Sequence, residues 1–281
     1  MKSVYVWNQE CRLQVWESER KGQTILFLHP QGGCSSIWRD MLPHFSEDYH
    51  LVCMDLRGQG DSDRAASGYD IDTQCADILA VLEALHIEKA HLVGNSLGGD
   101  FATFFAAKHP ERMLSLIHLD SGMIDYIGEN GEHDLSREEV LTNARNRERT
   151  GYDTKEQFAS HAKETWTKWD PYYEKWFEHV SIYPMENGQI TYRIPNDINV
   201  QIMETVCDLH YEEAYQQITC PVLFLPAADE PKLDVKLSLI GRVRDNFTSK
   251  VVIIPHSKHL MPIDQPLLAS KEILTFLKEI F

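Results

Sequence analysis

The chain has 281 residues, 43% of them hydrophobic, with 27 Lys plus Arg against 43 Asp plus Glu and a formal net charge of −16. That length and apolar content suffice for one sizeable core, while the acidic balance repels phosphate backbones and anionic lipid, so neither nucleic acid nor a membrane is an expected partner. No apolar run approaches the roughly 18 residues that cross a bilayer, and the N-terminus has no basic segment followed by an apolar one, so a cytoplasmic location is expected.

Along the chain, residues 4–7 and 13–16 predict an N-terminal hairpin-like pair. Strand-like apolar runs follow near 24–28, 50–55, 89–93, 114–119, 221–225 and 250–254, separated by helical patterns near 36–45, 72–85, 97–108, 232–246 and 264–280. Such alternation predicts an α/β fold with a mostly parallel sheet covered on both faces. In the last helix Leu267, Ile273, Leu274, Leu277 and Phe281 form an apolar stripe, with Asp264 and Pro266 where a cap and first turn belong. The cysteines at 11, 34, 53, 75, 207 and 220 lack paired spacing and read as buried thiols, not as disulfides or metal ligands.

Between 122 and 213 the alternation stops, leaving helical patterns at 136–149 and 153–169 with no strand-like run of comparable strength. This segment is rich in aromatics: Phe158, Trp166, Trp169, Tyr172, Tyr173, Trp176, Phe177 and Tyr183. Any one of them serves packing within the segment, but as a group they suggest an apolar pocket for a small apolar or aromatic acyl substrate, with Trp166, Trp169 and Trp176 as its candidate lining.

The chemistry-bearing motif is Gly94-Asn95-Ser96-Leu97-Gly98-Gly99, set between the strand-like 90–93 and the helical 101–107. A sharp strand-to-helix turn lifts a serine hydroxyl above the sheet edge and tolerates only small neighbours, so Ser96 is the candidate nucleophile. A serine hydroxyl is weak at neutral pH and needs a histidine to take its proton and an acid to fix that histidine's tautomer. The backbone N–H of Leu97, next to Ser96 and at a helix N-terminus, is a candidate donor to a developing oxyanion. Downstream, Asp229 and Glu230 follow one strand and His256 and His259 the next, giving the order serine, acid, histidine.

With its glycine-rich turns after 24–28 and 50–54, the chain resembles the α/β-hydrolase fold family over nearly its whole length apart from the middle segment. The resemblance implies a core of residues 1–121 and 214–281 and a helical cap at 122–213. It favours His259, before Leu260-Met261-Pro262, over His256 as the base, although Lys258 stands where the family usually has glycine. Three positions beyond the small residue Ala227 it implies Glu230 as the acid, with Asp229 as rival and Asp120, at the preceding strand end, third and otherwise a structural carboxylate. The second oxyanion donor it implies is the N–H of Gln31, after His29 and Pro30. His29, Asp55, Arg57 and Asp61 read as organisers of their turns.

Serine at 96 disfavours the alkyl-enzyme chemistry of the family's aspartate-nucleophile branches, and no phosphate loop or zinc-type histidine pair appears, so no cofactor or metal is expected. The leading expectation is a serine hydrolase of carboxylic esters or related acyl compounds such as lactones. Carbon–carbon hydrolysis of a diketone is the alternative, since the asparagine before Ser96 resembles the elbow of meta-cleavage-product hydrolases. A ligand-binding signalling protein with little turnover is a third. Fold alone does not decide among them.

Overall fold

A computed structural model of the chain describes residues 1–45, 47–128, 131–165 and 172–280, without the side chains of 172 and 173. The strands are β1 (Lys2–Asn8), β2 (Cys11–Glu17), β3 (Thr24–Leu28), β4 (His50–Met54), β5 (Ala90–Asn95), β6 (Met113–Leu119), β7 (Tyr183–Pro184), β8 (Ile190–Thr191), β9 (Val222–Leu225) and β10 (Ser249–Val251). The α-helices are α1 (Ile71–Ala84), α2 (Leu97–Lys108), α3 (Arg137–Arg145), α4 (Lys155–Thr165), α5 (Tyr172–Trp176), α6 (Asn196–Cys207), α7 (Tyr211–Tyr215), α8 (Leu233–Val243), α9 (Met261–Asp264) and α10 (Pro266–Ile280).

Eight strands form one sheet in the order β1-β2-β4-β3-β5-β6-β9-β10. β1, β2 and β4 pair antiparallel and the remaining neighbours are parallel. Both faces are apolar, as parallel strands under helices require. In β3, Leu26 and Leu28 join one core cluster with Ile78 of α1, Phe101 and Phe105 of α2 and Leu239 of α8. Ile25 and Phe27, pointing the other way by the two-residue period of a strand, join Trp38 and Ile273, Phe276 and Leu277 of α10. The register Leu28–Gly94, Gly94–His118 and His118–Phe224 sets the C-terminal ends of four strands side by side. In open α/β sheets that edge is where ligands bind.

Three local expectations are corrected. Instead of a helix over 36–45 there are two short 3₁₀ turns, Ser35–Trp38 and Leu42–His44. Pro43, which offers no N–H, prevents their fusion into an α-helix. The C-terminal helix is split: Pro266 opens α10, as expected, but Asp264 belongs to α9, and its carboxylate accepts the backbone N–H of Lys258 instead of capping α10. On α10, Leu267 is 66% exposed, and the buried stripe runs through Ala269, Ile273, Phe276 and Leu277. Phe281 lies outside the described residues. All six cysteines are free thiols, buried except for the half-buried Cys34.

The segment after β6 carries α3 to α7 and also a small antiparallel ladder, Tyr183–Thr191 and Pro184–Ile190, that had no strong sequence signal. Its helix α3 begins at Ser136, whose hydroxyl accepts the N–H of Glu139 while the Glu139 carboxylate accepts the N–H of Ser136. Tyr152, Phe158, Phe177 and Val180 form a separate small core, and Val140, Ile198, Ile202 and Met203 pack on the main one. The segment is tied to the turn after β3: the N–H of Ser181 donates to Gly32 O at 2.8 Å, and the Gln31 amide donates to Asn199 Oδ1 at 3.1 Å. Among the described residues no helix is long and apolar enough to cross a membrane.

Candidate active site

Ser96 follows β5 and precedes α2 with φ 53° and ψ −131°, a backbone conformation that side-chain-bearing residues rarely adopt. The turn needs its glycines: a Cβ at Gly94 would run into the Cα of Gly99, and one at Gly98 would overlap the Leu28 carbonyl. Among the described residues, neither the N–H of Leu97 nor that of Gln31 has a protein acceptor. Asn95, wholly buried, donates from Nδ2 to Leu119 O at 2.6 Å and to His259 O at 2.8 Å. It thereby ties the β5 and β6 ends to the histidine loop.

His259 meets Asp120, the third of the three candidate acids, and not Glu230 or Asp229. His259 Nδ1 and Asp120 Oδ2 are 2.9 Å apart, while the Glu230 carboxylate takes the backbone N–H of His259 at 3.0 Å. Asp229 is exposed, its N–H donating to Ser257 O. The expectation that Glu230 faces the imidazole is thus corrected, and the reason lies in the backbone. Asp120 adopts φ 47° immediately after β6, a left-handed conformation that aspartate tolerates. In that turn its carboxylate accepts the N–H of Ala227 at 3.0 Å and faces His259. His256 is exposed. Lys258 needs no glycine's freedom, since the positive φ in this loop falls at His256.

A fourth group completes the cluster. Lys236 of α8 is buried and its ammonium donates to both Asp120 oxygens, at 2.8 and 2.9 Å. Burial would raise the Asp120 carboxyl, but the hydrogen bond to His259 and the Lys236 charge outweigh it and hold the group below the ordinary carboxylate value. For His259, burial favours the neutral ring, yet the hydrogen bond and charge of Asp120 prevail and raise its pKa above the usual histidine value. Ligand atoms of Asp120, Glu230 and His259 lie within 4.8 Å of one another, but the Lys236 ammonium on both Asp120 oxygens already supplies the cation such a trio would attract. Asp100, in the first turn of α2, is pushed up to about 7 by burial, opposed by hydrogen bonds from Tyr211 and the Gly122 N–H.

The turn residues behave as read. His29 is buried with Nδ1 on Pro30 O at 2.8 Å, and its Nε2 accepts the Leu56 N–H at 2.9 Å. Asp55 accepts the N–H groups of Ser35 and Asp61, and Arg57 forms a two-pronged pair with Asp77 at 2.7 and 2.8 Å. Beside Gln31 lies a cavity of about 410 Å³ whose lining includes Tyr126, Val140, Trp176, Tyr192 and Met203. Trp176 lines this cavity, whereas Trp166 and Trp169 lie outside the described residues. A larger cavity of about 1050 Å³, bordered by Trp16, Cys34, Asp55 and Val180, includes neither Ser96 nor His259.

A strained serine between a parallel strand and a helix, with a histidine–aspartate pair on the next loops of the same sheet edge, defines a class of protein. A family model described as alpha/beta hydrolase fold matches residues 23–266, and the chain belongs to that family. Epoxide hydrolase 4 of Mus musculus is 37% identical over 101 residues, which are 35% of this chain and 28% of that protein. The 2-hydroxymuconate semialdehyde hydrolase of Pseudomonas sp. (strain CF600) is 37% identical over 109 residues, 37% of this chain and 38% of that one. The match thus spans well under half the length of these curated relatives. The crystal structure of E-2-(acetamidomethylene)succinate hydrolase superimposes with a TM-score of 0.79 at 20% identity, covering 99% of each chain. That likeness is one of fold.

Proposed function

We propose that the chain is a serine hydrolase that cleaves a carboxylic ester or related acyl bond through an acyl-enzyme, with Ser96 as nucleophile, His259 as base and Asp120 as the acid. The observation that carries this reading is the 2.9 Å contact of His259 Nδ1 with Asp120 on the sheet edge that also bears the strained Ser96. As Ser96 Oγ attacks the carbonyl carbon, its proton passes to His259 Nε2, while the carbonyl oxygen gains negative charge and takes hydrogen bonds from the N–H groups of Gln31 and Leu97. Collapse of the tetrahedral species breaks the bond to the leaving group, which receives the proton from His259. Water then attacks the acyl-enzyme, giving a proton to His259, and the Ser96 oxygen departs with it. The segment 122–213 serves as a cap, with Trp176 facing the acyl group, and the reaction calls for no cofactor.

Carbon–carbon hydrolysis of a diketone is the second reading, favoured by the 37% identity with the semialdehyde hydrolase. Purified protein assayed on short-chain p-nitrophenyl esters, lactones and a diketone separates the two. Ester or lactone turnover that a fluorophosphonate abolishes is expected. Diketone cleavage far faster than any ester would move the reading to carbon–carbon hydrolysis, and no turnover on the whole panel would sink both.

The Lys236 charge makes a pH prediction. His259 must be neutral to act as base, so kcat/KM rises with pH through the titration of the ring, and with its pKa raised the midpoint lies above the ordinary histidine value of about 6.5. Besides Asp120, the charges of Glu132 and Glu230 raise the pKa of this ring, and Asp100 is coupled to it as well. Lys236→Met removes a cation that disfavours imidazolium and frees Asp120 to favour it, so the acidic limb is expected to move up by roughly one pH unit. A limb that stayed or moved down would show that Lys236 does not act on the base.

A further inference from the structure

The cavity beside Gln31 contains two arginines, Arg147 after α3 and Arg193 after β8. Most arginines elsewhere on this acidic chain sit against a carboxylate: Arg12 with Asp63, Arg57 with Asp77, Arg137 with Asp208 and Arg242 with Glu212. Among the described residues neither Arg147 nor Arg193 has such a partner, although acidic residues outnumber basic ones 43 to 27. Arg147 is held in place by one bond, from Nη2 to Ile194 O at 2.8 Å, and by Asn196, whose amide donates to its carbonyl at 2.9 Å. Its Nε is buried with no acceptor at all. The Arg193 guanidinium lies 5.3 Å from the centre of the Tyr192 ring. Burial first, then the charge of Arg193, lowers the pKa of Arg147, the mark of a cation deprived of a counterion.

Two half-buried guanidinium groups in one lining, neither with a carboxylate among the described residues, present donors to the group they are shaped to hold: a planar anion with two oxygens. The remaining lining combines an apolar part, with Val140, Trp176, Tyr192 and Met203, and the amides Gln31, Asn143 and Asn199. Gln31, whose N–H is a candidate oxyanion donor, belongs to the same lining as the two arginines, so one ligand filling the cavity meets both.

We infer that Arg147 and Arg193 form a carboxylate-binding subsite, so that the acyl group taken by this site carries a second, free carboxylate: a half-ester or related mono-acyl derivative of a short dicarboxylic acid. The assignment rests on the acyl-hydrolase reading for its use in turnover, but the binding of the anion stands apart from it. The anion neutralises the paired cations, and the hydrocarbon between the two carboxyl groups contacts the apolar wall. The site then distinguishes two acyl chains of equal length by the charge at the far end.

The test compares mono-p-nitrophenyl adipate with p-nitrophenyl hexanoate, two esters of one chain length that differ in the terminal carboxylate. Hydrogen bonds to charged groups imply a kcat/KM for the adipate half-ester higher by about tenfold or more, expressed in KM. Arg147→Met and Arg193→Met should each lower the ratio of the two kcat/KM values, and Arg147→Lys should recover part of it. The ratio is independent of the fraction of each variant that folds. Hexanoate turnover with no preference for adipate, or a preference that survives both substitutions, overturns the subsite and leaves the hydrolase reading standing. If neither ester is turned over, the hydrolase reading fails, and binding decides the subsite: free adipate should raise the Tm of the wild-type protein and of Ser96→Ala but not of Arg147→Met, and an absence of any shift overturns it.

Discussion

Ser96→Ala is expected to lower kcat on the best ester by roughly 10⁶-fold, the scale seen when a triad nucleophile is removed, while leaving a residual rate above the uncatalysed reaction. The residual rate persists because the N–H groups of Gln31 and Leu97, and the cavity beside Gln31, are backbone and packing features that the substitution does not touch. Stability should be little changed, since alanine meets the same strain at φ 53° as serine does. Ser96→Gly separates the two properties. It is equally inactive, but relief of a backbone strain of about 1–3 kcal/mol, set against the roughly 0.4–1 kcal/mol that glycine's unfolded-state freedom costs, should leave it more stable than wild type by about 1 kcal/mol. Denaturant unfolding reads the second quantity and ester hydrolysis the first. Wild-type turnover by Ser96→Ala, or a fluorophosphonate adduct on another serine, would remove Ser96 from the mechanism.

The elements bearing that serine were legible because each obeys a local rule. The β3 and β9 runs are buried and almost wholly apolar on both faces, and the bounds 24–28 and 97–108 agree with β3 and α2. The turn between β5 and α2 announces itself through glycines whose absent side chains are dictated by Leu28 and Gly99. Which of the three candidate carboxylates faces the ring was not legible, for a different reason. Asp120 and Glu230 both follow parallel strands and both reach the His259 loop, one at the ring and one at the backbone N–H. Which carboxylate faces the ring depends on the φ of a single residue, 47° at Asp120, and no residue pattern encodes that angle. Lys236 was invisible for a similar reason: it looks like any lysine of an amphipathic helix until β6 and α8 are brought together. Arg147 and Arg193 stand 46 positions apart and share one wall only when the chain after α3 meets the turn after β8. Aromatic content drew attention to this segment, while the arginines in the lining of its cavity gave no comparable signal in the sequence.

Asp120→Asn should lower kcat by roughly 10⁴-fold, because an amide at that position no longer holds the Nδ1–H tautomer of His259 or stabilises the imidazolium. The same change removes the counterion of Lys236, whose side chain is 8% exposed. An ammonium buried without its partner destabilises a fold by about 3–5 kcal/mol, so loss of rate and loss of fold arrive together in this variant. Combining it with Lys236→Met relieves the second effect without touching the first: the double variant should recover most of the stability and none of the rate. Glu230→Gln should cost less than about tenfold, since the amide oxygen still accepts the His259 N–H that the carboxylate accepts at 3.0 Å. Asp229→Asn, at an exposed position, should be silent. If Glu230→Gln proved severe and the Asp120 double variant stayed active, the carboxylate that orients His259 would be Glu230, and the turn after β9 would have to bring it from the backbone N–H to the ring during the reaction.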